Sequence, residues 1–147
     1  MAGMAQRIKG VADGLGLPLN PSGMIYNTRL AQEMAKWAEF KGKGDEVHQA
    51  LFRAYFVDGR NIGQLGEVVK IAVDLGLPED EAREAIEGGR FKGAVDADWD
   101  RALALGIRAV PTFVMEGERL VGFQSYEALE RFAASNGAVR RGNDKGT

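Results

Sequence analysis

Apolar residues recur at helical spacing through most of this chain and then give way, after Leu105, to two short stretches that read as strands. Ile8, Val11, Ala12 and Leu15 share one side of a first helix, expected over Met1–Gly14 and finished by Gly16. A second helix, which Asn27 is placed to cap, runs through Leu30, Met34, Trp37 and Ala38 to the Lys41-Gly42-Lys43-Gly44 break. The third opens near Asp45, and Val47, Ala50, Leu51, Ala54 and Tyr55 give it the clearest buried face in the chain. Leu65, Val68, Val69, Ala72 and Val73 define a fourth helix that stops at Gly76. Pro78 then starts a fifth, where Glu79, Asp80 and Glu81 suit the positive end of the dipole. A sixth covers about Phe91 to Leu105, and Trp37, Tyr55, Phe56 and Trp99 are expected in the core.

The pattern changes at Gly106, which can take the left-handed backbone that ends a helix, with Ile107 packing back on the last turn. Pro111 lacks an amide hydrogen and pushes Val110 into an extended conformation, so Thr112, Phe113, Val114 and Met115 read as a strand. Glu116-Gly117-Glu118 supplies a turn, Arg119 to Gly122 a second strand, and Ser125 the N-cap of a helix bearing Leu129, Phe132 and Ala133. The predicted architecture is therefore α/β, a single domain over 1–136. A helical subdomain fills 16–105 and a strand, hairpin and helix fill 106–136. From Gly137 to 147 the chain is rich in Arg, Gly and Asp without apolar periodicity, and is expected to be a disordered tail. Gly14-Leu15-Gly16-Leu17-Pro18 and Asp74-Leu75-Gly76-Leu77-Pro78 are the same helix-stop chemistry used twice and not a repeat architecture.

Composition narrows the function classes. With 147 residues the chain is long enough to bury around two-thirds of its potential surface as one domain. A net charge of −2 without clustered Lys and Arg argues against a broad nucleic-acid footprint. No apolar run reaches membrane-spanning length, and Arg7 and Lys9 interrupt the place where a secretory signal needs its apolar core, so the chain is expected to be cytoplasmic. It contains no cysteine, which excludes disulfides and cysteine-based metal sites within these residues.

Few other residues suggest chemistry. His48, the single histidine, has no partners at coordinating spacing and reads as a surface or partly buried helix residue. Asp96, Asp98 and Asp100 imitate the start of a calcium loop. Arg101 and Ile107, however, stand where the glycine and the bidentate glutamate belong, so the three are expected at a solvated helix start. Lys41-Gly42-Lys43-Gly44 lacks the spacing of a phosphate loop, and Ser22, between Pro21 and Gly23, is a turn residue and not a nucleophile. No metal or cofactor is expected, and no catalytic residue is assigned. The candidate site is Val110, Pro111 and Thr112, with Pro111 open to two readings: an ordinary proline at a strand entrance, or part of a substrate-docking bend.

Three ordered segments carry a resemblance that bears on that choice. They are Tyr26-Asn27-Thr28-Arg29-Leu30-Ala31, then Ala50 to Phe56 followed by Asp58-Gly59-Arg60-Asn61-Ile62-Gly63, and Ala104-Leu105-Gly106-Ile107-Arg108-Ala109-Val110-Pro111-Thr112-Phe113. Together they resemble the DsbA family, particularly its cytosolic FrnE-like branch, over roughly residues 5 to 135. The resemblance implies a partial thioredoxin-like fold with a helical insertion. It also implies a cis Pro111 beside which the backbone of Val110 faces outward and pairs with an extended peptide. In that family the first strand and the Cys-x-x-Cys helix come before these segments, whereas this chain opens on a helix, so the N-terminal half-fold is expected to be missing. Where members carry Asn-Thr-x-x-Ala-His, Gln32 occupies the last position and is read as a helix-surface residue. Chromene-carboxylate isomerases and kappa-type glutathione transferases are similar too, and the serine they use would lie in the same missing segment.

Two functions follow from the resemblance. One is a thiol–disulfide oxidoreductase, truncated or split and redox-inactive alone because no thiolate is present. The other is a cysteine-free peptide-binding or assembly protein that keeps the Pro111 groove. A two-stranded hairpin is marginal by itself, so its edge over Thr112–Met115 is expected to be covered by a second copy in a homodimer, by a complementary N-terminal thioredoxin-fold segment, or by a rearranged N-terminus.

Overall fold

The structure, a computed structural model, describes residues 2–20 and 23–141, with the side chains of Ala2 and Met4 set aside. The turn expected at Pro21 and Ser22 and the tail beyond Arg141 lie outside the described residues. Among the described residues seven helices and one hairpin follow in order: α1 (Ala2–Gly14), α2 (Arg29–Phe40), α3 (Gly44–Phe56), α4 (Leu65–Asp74), α5 (Glu79–Glu87), α6 (Lys92–Ala104), β1 (Thr112–Met115), β2 (Glu118–Val121) and α7 (Tyr126–Ser135). They divide into two compact units, one through Asp98 and one from Trp99 onward. The division falls inside α6, upstream of the 105/106 boundary expected from the pattern.

In the first unit α2 packs against α3, α4 and α5. Its Ala31, Met34, Ala35, Trp37 and Ala38 meet Val47, Leu51 and Ala54 of α3, Val68, Val69, Ile71 and Ala72 of α4, and Ala82, Ala85 and Ile86 of α5. Alanines at the crossing points let the helix axes approach, and Trp37 supplies the largest fully buried side chain. Gly76 ends α4 with a positive φ while the Leu77 N–H returns to the Ala72 carbonyl, the terminator expected from the sequence. Asn27 takes the Arg29 N–H on its side-chain oxygen at 2.8 Å, one position before the cap itself, which is Thr28.

A charged residue sits inside this core. Glu33 is fully buried; Arg29 donates to one of its carboxylate oxygens at 3.1 Å, and the other has no hydrogen-bond partner among the described residues. The same guanidinium reaches the Lys92 carbonyl at 3.1 Å and the Asp96 carboxylate at 2.7 Å, and so joins α2 to α6. Lys36 of α2 pairs with Asp98 at 2.7 Å. The aspartates expected at a solvated helix start therefore lie within α6, and two of them hold it to α2.

Two of the four aromatic residues expected in the core are outside it. Trp37 is buried, Tyr55 is half-buried, but Phe56 and Trp99 are 46% and 54% exposed. The apolar stripe of α1 is likewise mostly uncovered: Ala12 is buried and Ile8 and Leu15 are exposed.

The second unit is built differently. It contains the end of α6, the hairpin and α7, and no described residue from Trp99 to Arg141 is buried. Gly106 has φ +68°, and the Ile107 N–H bonds back to the Ala102 carbonyl. A Cβ added at Gly106 would overlap the Arg119 guanidinium, which donates to the Leu105 carbonyl at 2.8 Å. Gly106→Ala is expected to lower the stability of this unit by about 1–2 kcal/mol, through the strained φ and the displaced arginine, as measured by amide exchange on β1 and β2. Unchanged exchange rates would show that the arginine contact does not hold the hairpin to the helix end.

Candidate functional site

The hairpin is short and its pairing is well defined. Thr112 faces Val121, Phe113 faces Leu120, Val114 faces Arg119 and Met115 faces Glu118, in antiparallel register. The connection is Glu116-Gly117, with φ of 49° and 83°, so both turn residues are left-handed, the combination whose twist matches that of the flanking strands. That β2 begins at Glu118 and not at Arg119, as the pattern suggested, follows from this two-residue turn.

The register decides which backbone groups are available. The Gly122 N–H donates to the Pro111 carbonyl at 2.8 Å, so the bonded pairs are 111/122, 113/120 and 115/118. Phe113 and Met115 thus direct their N–H and C=O groups at β2, while Thr112 and Val114 direct theirs at the opposite, outer edge. Val110 continues that edge: its side chain is 88% exposed, and its backbone N–H and C=O have no partner among the described residues. The Val110–Pro111 bond is cis. Thr112 turns its hydroxyl away from the edge, donating to the Ala109 carbonyl at 2.6 Å.

The far side of the hairpin is less open. Gln124 donates its side-chain amide to the Val121 carbonyl at 2.8 Å, filling an acceptor on the outer edge of β2. The outer edge of β1 at Val110, Thr112 and Val114 carries no such side-chain block among the described residues. Neither Arg119 nor Gln124 could be assigned these roles from sequence spacing, since both act on carbonyls fixed only once the hairpin has formed. Below it, α7 starts where expected, the Ser125 hydroxyl accepting the Ala128 N–H at 3.3 Å. The Glu127 carboxyl is held below its ordinary range by its own backbone N–H and then by the Ser125 hydroxyl.

In the first unit, the other sequence segments that carry the family resemblance meet each other. Asn61 accepts the Gly63 N–H at 3.0 Å, and a Cβ at Gly63 would lie 2.8 Å from the Asn27 carbonyl, so glycine permits the close approach of the two loops. Gln32, expected on the surface, is partly buried and donates to the Thr28 hydroxyl at 3.0 Å. His48 has a side chain 46% exposed, 3.8 Å from the Glu39 carboxylate. Among the described residues no group of His, Cys, Asp and Glu is placed to hold a metal ion, and no helix is long and apolar enough to cross a membrane.

Comparison with known proteins places this geometry. The family model for the DSBA-like thioredoxin domain matches residues 1–134. The uncharacterized protein YwbO of Bacillus subtilis (strain 168) is 27% identical over 130 residues, a span covering 84% of this chain and 64% of that protein. The chain thus spans less than two-thirds of that relative's length. A crystal structure from Nitrosomonas europaea, described as a candidate protein disulfide isomerase, superposes with a TM-score of 0.69 at 24% identity, covering 91% of this chain and 72% of that one. At that identity the likeness establishes the fold: a thioredoxin-like fold that is mostly helical here, with a small two-stranded sheet. By the extent of the family match, this chain belongs to the DSBA-like thioredoxin domain family.

Proposed function

We propose that this chain is the substrate-docking part of a thiol–disulfide oxidoreductase and is redox-inactive by itself, its thiols being supplied by a complementary Cys-x-x-Cys segment of a thioredoxin fold. The observation that carries the reading is the outer edge of β1, where Val110, Thr112 and Val114 offer backbone groups that are unpaired among the described residues, in a unit none of whose described residues is buried. Such an edge receives an extended strand through main-chain hydrogen bonds. Disulfide exchange needs a thiolate, and the 147 residues contain none.

The complementary segment would add its strand beside β1 and give the hairpin the third strand that independent stability requires. A second copy of the chain is the competing occupant, and the same edge would then make a homodimer. A FrnE-like cytoplasmic setting is consistent with this reading, and peptides or proteins with disulfides are its substrate class. Purified alone, the chain is expected to show no catalysis of insulin reduction by dithiothreitol. Mixed with a thioredoxin-fold segment bearing Cys-x-x-Cys, it is expected to accelerate that reduction beyond the segment's own rate. Activity of the chain alone, or no gain from any such segment, would refute the proposal. Retained peptide binding that Pro111→Ala removes, with no redox activity in any mixture, would favour the cysteine-free binding protein.

A further inference from the structure

A concave site lies wholly within the first unit. Between α2, α3 and the loop before α2 is a cavity of about 500 Å³, within the range of small-molecule sites. Its floor is buried and small or branched: Ala31, Ala35, Leu51 and Ile62. One wall is aromatic. Tyr26 and Tyr55 meet edge to face at 6.2 Å between centroids, and Tyr55 and Phe56 do so at 4.8 Å. Phe52, tilted against Phe56 at 6.3 Å, is 58% exposed. The polar lining is limited to Thr28, Gln32, His48 and the tyrosines, with no Asp, Glu, Lys or Arg.

From this lining we infer a binding site for a small uncharged aromatic molecule that carries one hydrogen-bonding substituent. The rings offer edges and faces that an aromatic ligand can meet in the offset or perpendicular geometries such pairs prefer. The absence of charged side chains selects against phosphate, carboxylate and sulfonate, whose desolvation nothing in the lining would offset. The hydroxyl of Thr28, the residue that caps α2, and the imidazole of His48 on α3 give the substituent hydrogen-bonding groups. The buried floor and the cavity's volume suit a compact ligand better than an added helix or strand.

The test uses 2-naphthol as the probe and naphthalene-2-sulfonate as its charged counterpart, followed on the full chain by amide chemical shifts. Saturable shifts confined to the neighbourhood of Thr28, Gln32, His48, Phe52 and Tyr55 are expected, with at least about tenfold weaker binding of the sulfonate, a difference of about 1.4 kcal/mol. Phe52→Ala, at an exposed position that leaves the core intact, and Ala35→Leu, which fills the floor, are each expected to weaken the naphthol by about tenfold or more. Shifts that fail to saturate, that scatter over the chain, or that survive Phe52→Ala unchanged would overturn the assignment. So would equal binding of naphthol and sulfonate, or concentration-dependent shifts at the same residues without any probe, which would mark the face as a self-association surface.

Discussion

Val114→Pro is expected to abolish strand addition at β1 while leaving the hairpin paired. Val114 belongs to a non-bonded pair with Arg119, so its N–H points at the outer edge and contributes nothing to the β1–β2 ladder. Proline removes that donor and places its ring where an incoming strand would lie, and an edge strand tolerates the substitution. Association with a complementary segment, or with a second copy, should weaken by about tenfold to a hundredfold, the worth of one to two main-chain hydrogen bonds and the accompanying clash. Phe113→Pro provides the contrast, because its N–H faces β2 and its loss should disrupt the hairpin itself. Size-exclusion chromatography with light scattering, with and without the complementary segment, separates the two cases. Equal association of wild type and Val114→Pro would show that the outer edge of β1 is not the docking surface.

The second large effect lies in the first unit. Arg29→Met leaves the buried Glu33 without the one side-chain donor it has among the described residues. Stranding that carboxylate costs about 3 kcal/mol or more, since removing one partner of a buried pair exposes the full desolvation penalty of the other. The double variant Arg29→Met with Glu33→Leu should recover most of the loss, because a packed apolar pair of similar volume costs little in this setting. Urea denaturation of the single and double variants measures both. A single variant as stable as wild type would mean that water reaches Glu33, and that the ion pair to Asp96 is a surface feature worth little.

These two sites differ in how far the chain alone disclosed them. The strand entrance at Pro111 and the strand that starts at Thr112 were legible because proline restricts its own residue and the one before it, and because β-branched and aromatic residues follow. The helix stops at Gly76 and Gly106 and the Ser125 cap were legible for the same kind of reason, each resting on one residue's local conformational preference. Glu33 was not. It lies three residues after Leu30 and four before Trp37, on a face that periodicity marks as buried, but the pattern cannot show which charged residue is drawn in or that Arg29 will meet it. Phe56 and Trp99 failed for the complementary reason: helical spacing identifies an apolar side without showing that anything covers it. Likewise the cavity beside α3 arises from where Ala31 and Ala35 fall opposite four rings, a relation between helices that no single helix pattern contains.

The exposed aromatics also bear on function. In the second unit Phe113, Val114, Val121, Phe123 and Tyr126 are all exposed, an apolar surface of the kind that marks an interaction face. On the proposed reading the cysteine-bearing segment covers it, and docking and chemistry are divided between two pieces of one fold.

Amide hydrogen exchange at Val110, Thr112 and Val114, with and without a Cys-x-x-Cys thioredoxin-fold segment, tests this most directly. The account predicts rapid exchange at these outward amides in the monomeric chain and at least about tenfold protection when the segment is added, while Phe113 and Met115, already paired with β2, change less. Outward amides that stay unprotected while the mixture gains redox activity would contradict it.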